Sequence, residues 1–208
     1  EQQPTLRFDL ADLGSGLDAT TLRVFVDGID ASERFSLDAQ GAAGTPAVPL
    51  ADGRHTAHVE IRDRAGNLAS ADGSFVVDTL GPAVAIVGPA PDSFVNDPTP
   101  ELRVVFADLG RDAANGEACA PESTECAEAS GIDASSLRLY LRTGEPGAAE
   151  TDVTGALLVR DEEALGALPV PLGDGSYRLR AVLADAAGNV SESESAFELD
   201  TVAPAIVF

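Results

Sequence analysis

Lysine is absent from this chain: all 13 basic residues are arginine, against 35 acidic ones, giving a formal net charge of −22. That balance argues against nucleic acid as a partner, since binding there depends on neutralising phosphates with cations. It points instead to cations as company, although an acidic surface also serves solubility in high salt without any defined site. Met and Trp are missing, and only two Tyr and two His occur. Paired acids of the glycosidase kind therefore lack an aromatic platform for a sugar. His55 and His58, three residues apart on one strand, point to opposite faces, which makes a two-His metal site improbable. No G-x-S-x-G accompanies the many serines, so no reaction is predicted. No apolar run is long enough to span a bilayer, so membrane insertion of this segment is not expected. The chain opens without Met and without a basic region ahead of an apolar stretch, and it reads as an excised piece of something longer. The two cysteines, Cys119 and Cys126, have six residues between them and no further Cys or His nearby. A zinc site would need two more ligands, so a small disulfide loop formed outside the cytosol is expected.

What is present, above all, is a repeat. Pro49–Pro82 lies on Pro171–Pro204 without a gap at a constant offset of 122 residues. Asp52-Gly53 falls on Asp174-Gly175, Asp63 on Asp185, Gly66-Asn67 on Gly188-Asn189, Phe75 on Phe197, and Asp78-Thr79 on Asp200-Thr201. Upstream, ADLG at 11–14 recurs at 107–110, and SGLDATTLR at 15–23 recurs as SGIDASSLR at 130–138. A period above 100 residues is the size of a domain and too long for a solenoid. The first module is assigned to 1–81, with its own first strand expected upstream of Glu1. The second is assigned to 82–204, with a 19-residue insertion, 111–129, that the first lacks. Residues 205–208 match the start of the second module and are expected to open a third.

Strand signals are short and alternate with period two. Leu6, Phe8 and Leu10 alternate with Arg7 and Asp9; Leu22, Val24 and Val26 follow the same parity, as do Ala57, Val59 and Ile61. The second module repeats this with Leu102, Val104 and Phe106, with Leu137, Leu139 and Leu141, and with Leu179, Ala181 and Leu183. Such strands carry one core face and one wet face, and Gly, Asp and Pro turns separate them. The expected fold is all-β: two tandem immunoglobulin-like antiparallel β-sandwiches joined by the short linker Thr79–Pro82. The motif DGSY at 174–177 resembles a tyrosine corner, in which a Tyr at the start of a strand bonds upstream backbone. The same slot in the first module, DGRH, holds His55.

At this level the chain resembles the bacterial Ig-like repeats of large secreted and surface-attached, adhesin-type proteins. The resemblance rests on the SG-[LI]-D loop, PLADG and PLGDG, DRAGN and DAAGN, and DTLGP and DTVAP, and it covers nearly the whole chain. It implies a stalk or adhesion segment outside the cell or on its surface, with neighbouring Ig-like modules as partners. Some members bind Ca²⁺. Lys–Asn crosslinks, used by some surface proteins of this kind, are excluded by the missing lysine. The 111–129 insertion departs from a pure stalk. It raises the alternatives of a recognition loop for a protein or glycan surface ligand, or of an accessory domain in a secreted hydrolase.

In such a sandwich two loops of each module emerge at the same end. That gathers Asp12, Asp18, Asp63 and Asn67 in the first module, and Asp108, Asp133, Asp185 and Asn189 in the second. Carboxylate and amide oxygens are what Ca²⁺ accepts, 6–8 of them at about 2.3–2.6 Å. Asp78 ends the first module beside the link, so it joins Asp108, Asp133 and Asp185 as a candidate ligand at the junction. Against this, D-x-A-G-N is also a good hairpin turn, with Gly and Asn free to take positive φ and Asp able to cap the turn.

Overall fold

The computed structural model describes residues 2–112, 117–120 and 126–207. It divides into two compact units, Glu1–Leu80 with Gly110–Ser130, and Gly81–Leu109 with Gly131–Phe208.

The first unit contains β1 (Leu6–Asp9), β2 (Leu17–Val26), β3 (Ile29–Asp30), β4 (Phe35–Asp38), β5 (Gly41–Gly44), β6 (Gly53–Asp63) and β7 (Leu68–Val77). They form two sheets, ordered β1-β5-β4 and β3-β2-β6-β7. Leu22, Val24, Val59, Ile61 and Val77 from one sheet enclose a core with Phe35 and Ala42 from the other. The alternation in the sequence produces this directly, because each strand buries every second side chain.

The second unit contains β8 (Ala83–Gly88), β9 (Ser93–Val95), β10 (Glu101–Ala107), β11 (Ile132–Thr143), β12 (Thr151–Asp152), β13 (Leu157–Val159), β14 (Glu163–Ala167), β15 (Gly175–Asp185) and β16 (Val190–Leu199). Its sheets run β13-β14-β10-β8 and β12-β11-β15-β16-β9, with β9 parallel to β16. Leu102, Val104, Leu139, Leu179, Ala181 and Leu183 are fully buried between them. Register repeats along with sequence: Leu6 faces Gly44 as Leu102 faces Gly166, and Phe35 faces Gly44 as Leu157 faces Gly166. Both glycines are required sterically. A Cβ on Gly44 would collide with the Arg34 carbonyl, and one on Gly166 with the Ala156 carbonyl.

The strands are longer than the alternating cores suggested. β2 begins at Leu17, five residues ahead of the alternating Leu22, and β7 runs from Leu68. In both cases the extra residues extend the antiparallel ladder with β6 into mostly exposed chain, where burial imposes no alternation.

By sequence the insertion falls inside the second module, yet its described residues belong to the first compact unit. Arg111 donates from Nε to Asp52 Oδ2 at 2.6 Å and from an Nη to Thr79 Oγ1 at 3.2 Å. Glu128 accepts two hydrogen bonds from Arg54, at 2.6 and 2.7 Å. Cys119 and Cys126 are bonded to each other, as their spacing suggested, and Cys119 is buried.

Candidate metal centre

The D-x-A-G-N segments close the β6–β7 and β15–β16 hairpins in the same way. Asp63 Oδ1 accepts the Asn67 backbone N–H at 2.8 Å, and its Oδ2 accepts the Asn67 side-chain amide at 2.7 Å. Asp185 makes the same two bonds to Asn189, at 2.8 and 2.7 Å. Gly66 and Gly188 supply the positive φ that the turn needs, at 93° and 88°. Hydrogen bonds from the Asn67 side chain and then its backbone hold Asp63 below the usual carboxylate range. The two turns differ in burial: Asp63 is exposed enough to be wetted, whereas Asp185 retains 2% of its surface.

The loop that precedes each paired strand also ties down its acids locally. Asp12 Oδ2 accepts the N–H groups of Gly14 and Gly16, and its counterpart Asp108 accepts that of Gly131 at 2.6 Å. Asp18 Oδ1 takes the hydroxyl and N–H of Thr20, and Asp133 Oδ1 takes those of Ser135. These hydroxyl and backbone donors lower both acids' pKa. Each of these two turns sits at an irregularity of register, between Asp18 and Arg23 and between Asp133 and Arg138. Such an irregularity re-aims side chains at a strand end.

Within the second unit, a carboxylate oxygen of Asp108 and one of Asp185 lie within 4.8 Å of each other. Asp133 is not gathered with them; its side chain closes its own turn. Among the described residues the first unit has no group of three acids converging in this way. In that unit Asp78, buried at the end of β7, accepts the N–H groups of Leu80 at 3.0 Å and Ser130 at 2.8 Å. The donor set is all hard oxygen, which fits Ca²⁺ or Mg²⁺ and does not fit a thiolate-seeking metal.

Sequence reasoning missed the Arg111–Asp52 and Arg54–Glu128 pairs, although one signal existed. Asp52 repeats as Asp174, and each binds the Thr of the following D-T pair: Asp52 with Thr79 at 2.9 Å, Asp174 with Thr201 at 2.8 Å. Only the first module also receives an arginine from the insertion.

The corner position behaves as its sequence suggested. Tyr177 donates its hydroxyl to the Gly173 carbonyl at 2.9 Å and stacks on Phe197, with ring centroids 5.5 Å apart. His55 takes the same role toward Ala51, 2.8 Å away, and toward Phe75, but its other nitrogen lies 2.6 Å from Asp27 Oδ2. A ring whose two nitrogens both face oxygen acceptors satisfies both only as imidazolium. Burial opposes that charge, but the hydrogen bonds to Asp27 and Ala51 outweigh it and raise the pKa above 6.5. A raised folded-state value means that the stabilisation is complete below the unfolded pKa and disappears as pH rises through the folded one. Stability of the first module is therefore expected to fall as pH rises above 6.5 and through the folded value. His55→Tyr should flatten that dependence, as read by hydrogen exchange of β6 across pH; His58→Gln serves as control for the other histidine, whose pKa Asp72 and Glu60 raise.

Among the described residues no helix is long and apolar enough to cross a membrane. Residues 2–79 match one family profile described as a bacterial Ig-like domain, and residues 82–201 match a second with the same description. No curated protein shows a significant match. Similar solved structures include a tetra-tandem repeat from the extending region of a large adhesion protein, 17% identical, with a TM-score of 0.41. That likeness covers 96% of this chain, which spans 46% of the adhesion-protein chain. Another is a structure of fibronectin(III)-like modules of Clostridium thermocellum CbhA, 11% identical, covering 95% of this chain and 84% of that one, with a TM-score of 0.47.

Proposed function

The chain belongs to the bacterial Ig-like domains, and on that premise we propose that it is a structural stalk or adhesion segment of a secreted or cell-surface bacterial protein, without a catalytic role. The observation that carries this reading is the end-to-end match: two modules, at 2–79 and 82–201, each matching a bacterial Ig-like profile, with two residues between them. A link this short, followed directly by Pro82, suits a spacer better than a tether. The disulfide favours an oxidising, extracellular setting. Its natural partners are further Ig-like modules of the same protein.

Calcium is part of the proposal. Asp108 and Asp185 offer the starting pair of ligands, and Asp78, three residues ahead of Gly81 in the chain, is the candidate that would let one ion stiffen the junction. An ion that binds only the folded state stabilises it by about 2.7 kcal/mol at a hundredfold excess over Kd. Melting in millimolar Ca²⁺ is thus expected to exceed melting in EDTA by several degrees. Asp185→Ala should abolish that difference. Asp63→Ala, which removes the same turn hydrogen bonds at a half-buried site, should preserve it. Small-angle scattering with and without Ca²⁺ tests the stiffening. Equal midpoints in both buffers would remove the metal and leave the acids as turn-formers.

A second reading, recognition of a protein or glycan by the 111–129 insertion, is favoured by its anchoring. The Arg111–Asp52 and Arg54–Glu128 pairs and the disulfide would pre-organise such a loop.

A further inference from the structure

Charge is unevenly spread over the outer face of the sheet β12-β11-β15-β16-β9 in the second module. Leu141, Leu179 and Phe197 turn into the core, so the residues on either side of them turn outward. Arg138, Tyr140 and Arg142 of β11 therefore share a face with Arg178 and Arg180 of β15, which gathers there four of the chain's 13 arginines. Next to them β16 presents Glu192, Glu194, Ala196 and Glu198. A basic stripe on the two inner strands thus adjoins an acidic stripe on the third.

The two stripes do not neutralise each other. Arg180 lies over the Tyr140 ring, 4.7 Å from its centroid, and pairs with Glu150 at 2.6 Å and with Glu192 at 3.4 Å. Arg142 and Arg178 stand directly opposite each other in the ladder, and among the described residues neither makes an ion pair. Glu194 and Glu198, both exposed on β16, make none either. Like charges directly opposite on one face destabilise a sheet. The first module avoids this: Asp27, Thr56 and Ser74 hold the positions of Arg142, Arg178 and Ala196, and Asp27 accepts the Thr56 N–H at 2.8 Å. Ala196 completes the row beside Arg178. Its small side chain leaves a notch between Glu194 and Glu198, two residues away on either side.

We propose that a second copy of this chain packs on this face about a two-fold axis running along the strands, between β15 and β16. Such an axis lays β15 of each copy over β16 of the other, so each arginine stripe meets a glutamate stripe. Arg178 of one copy enters the notch over Ala196 of the other, between Glu194 and Glu198, and the symmetry makes this contact twice. An axis across the strands would instead set arginine on arginine. β9 comes over β11 of the second copy and covers Phe94, which is 83% exposed and leaves the sheet beside Glu198 on the same face. There the Arg142 side chain meets the Phe94 ring. Each copy carries −22, so long-range repulsion keeps the pairing weak, and salt screens that repulsion. Because the axis follows the strands, the paired copies point the same way, as stalks rooted in one surface would; this last step alone rests on the proposed function.

Sedimentation of the 208-residue chain from about 1 μM to about 1 mM covers the range of weak pairing. Its weight-average mass is expected to rise toward two copies and to stop there. Arg178→Glu should keep the chain monomeric, as should Glu194→Arg combined with Glu198→Arg. An equimolar mixture of the two variants should pair again, because both reciprocal contacts then join opposite charges. All three positions are exposed, so the fold is expected to persist, and melting at the lowest concentration checks that. The double variant also separates the contact from bulk charge. It lowers each copy from −22 to −18, so repulsion alone would make it associate more readily than the wild type. A wild-type chain that is monomeric throughout overturns the proposal, as does a mixture of variants that stays monomeric. Pairing that survives Arg178→Glu, or a mass that climbs past two copies, overturns it equally. The stalk reading stands apart from all these outcomes, since it rests on the matched modules.

Discussion

Leu102→Ala is expected to destabilise the second module by about 3–4 kcal/mol, whereas Leu6→Ala, at the repeated position of the first, should cost about 1 kcal/mol. Leu102 is fully buried, with β14 on one side of its strand and β8 on the other. Truncating it removes a whole side chain's transfer energy and leaves a cavity walled by Leu, Val and Phe side chains held on both sheets, with little freedom to collapse. Leu6 is only partly buried, so part of its surface is already wet and the space it leaves can fill with water. Hydrogen exchange resolved by strand, on β15 for one module and β6 for the other, separates the two losses within the intact chain. Equal losses would mean that the partial exposure of Leu6 does not lessen its share in the first core.

How much of this was legible depended on whether burial imposed a period. Strands carrying Leu, Val and Phe at every second position, such as Leu137, Leu139 and Leu141, were readable because one face must be apolar. The middle strands were not. Gly41–Gly44 is rich in glycine and lacks the β-branched residues that mark a strand, yet Ala42 is fully buried and the strand stands between β1 and β4. Close approach of backbones selects small residues there, and that requirement looks like a loop in sequence. The candidate acids were legible as residues that cluster near loop ends. Their actual partners were not, because an Asp closing its own turn on Asn67 or Thr20 has the same spacing as one awaiting an ion. The Arg111–Asp52 contact spans 59 residues and two modules of sequence, and no local pattern encodes it.

Arg111→Ala is expected to destabilise the first module by about 1–3 kcal/mol, the range for leaving a buried acceptor without its partner where the arginine itself is partly solvated. The Asp52 side chain keeps 5% of its surface, and the guanidinium of Arg111 meets it at 2.6 Å. Burial works against ionised Asp52, but the hydrogen bonds from Arg111 and Thr79 prevail and hold its pKa below 3.8. Without Arg111 the carboxylate keeps Thr79 but loses its charged partner, and desolvation then acts almost unopposed. The sign of the linkage supplies a second readout. A depressed folded-state pKa gives stability that is present above the unfolded value of 3.8 and lost as pH falls through the folded one. The wild-type chain should therefore lose stability on that acid limb, and Arg111→Ala should lose less there because it has less to give up. Asp52→Ser combined with Arg111→Ala should cost less than the sum of the single changes, since the second removal relieves the stranded charge. Hydrogen exchange of β6 follows the first module, with β15 as internal reference. Additive losses and an unchanged acid limb would show that the pair is solvated in solution, and would return the insertion to the status of a free loop.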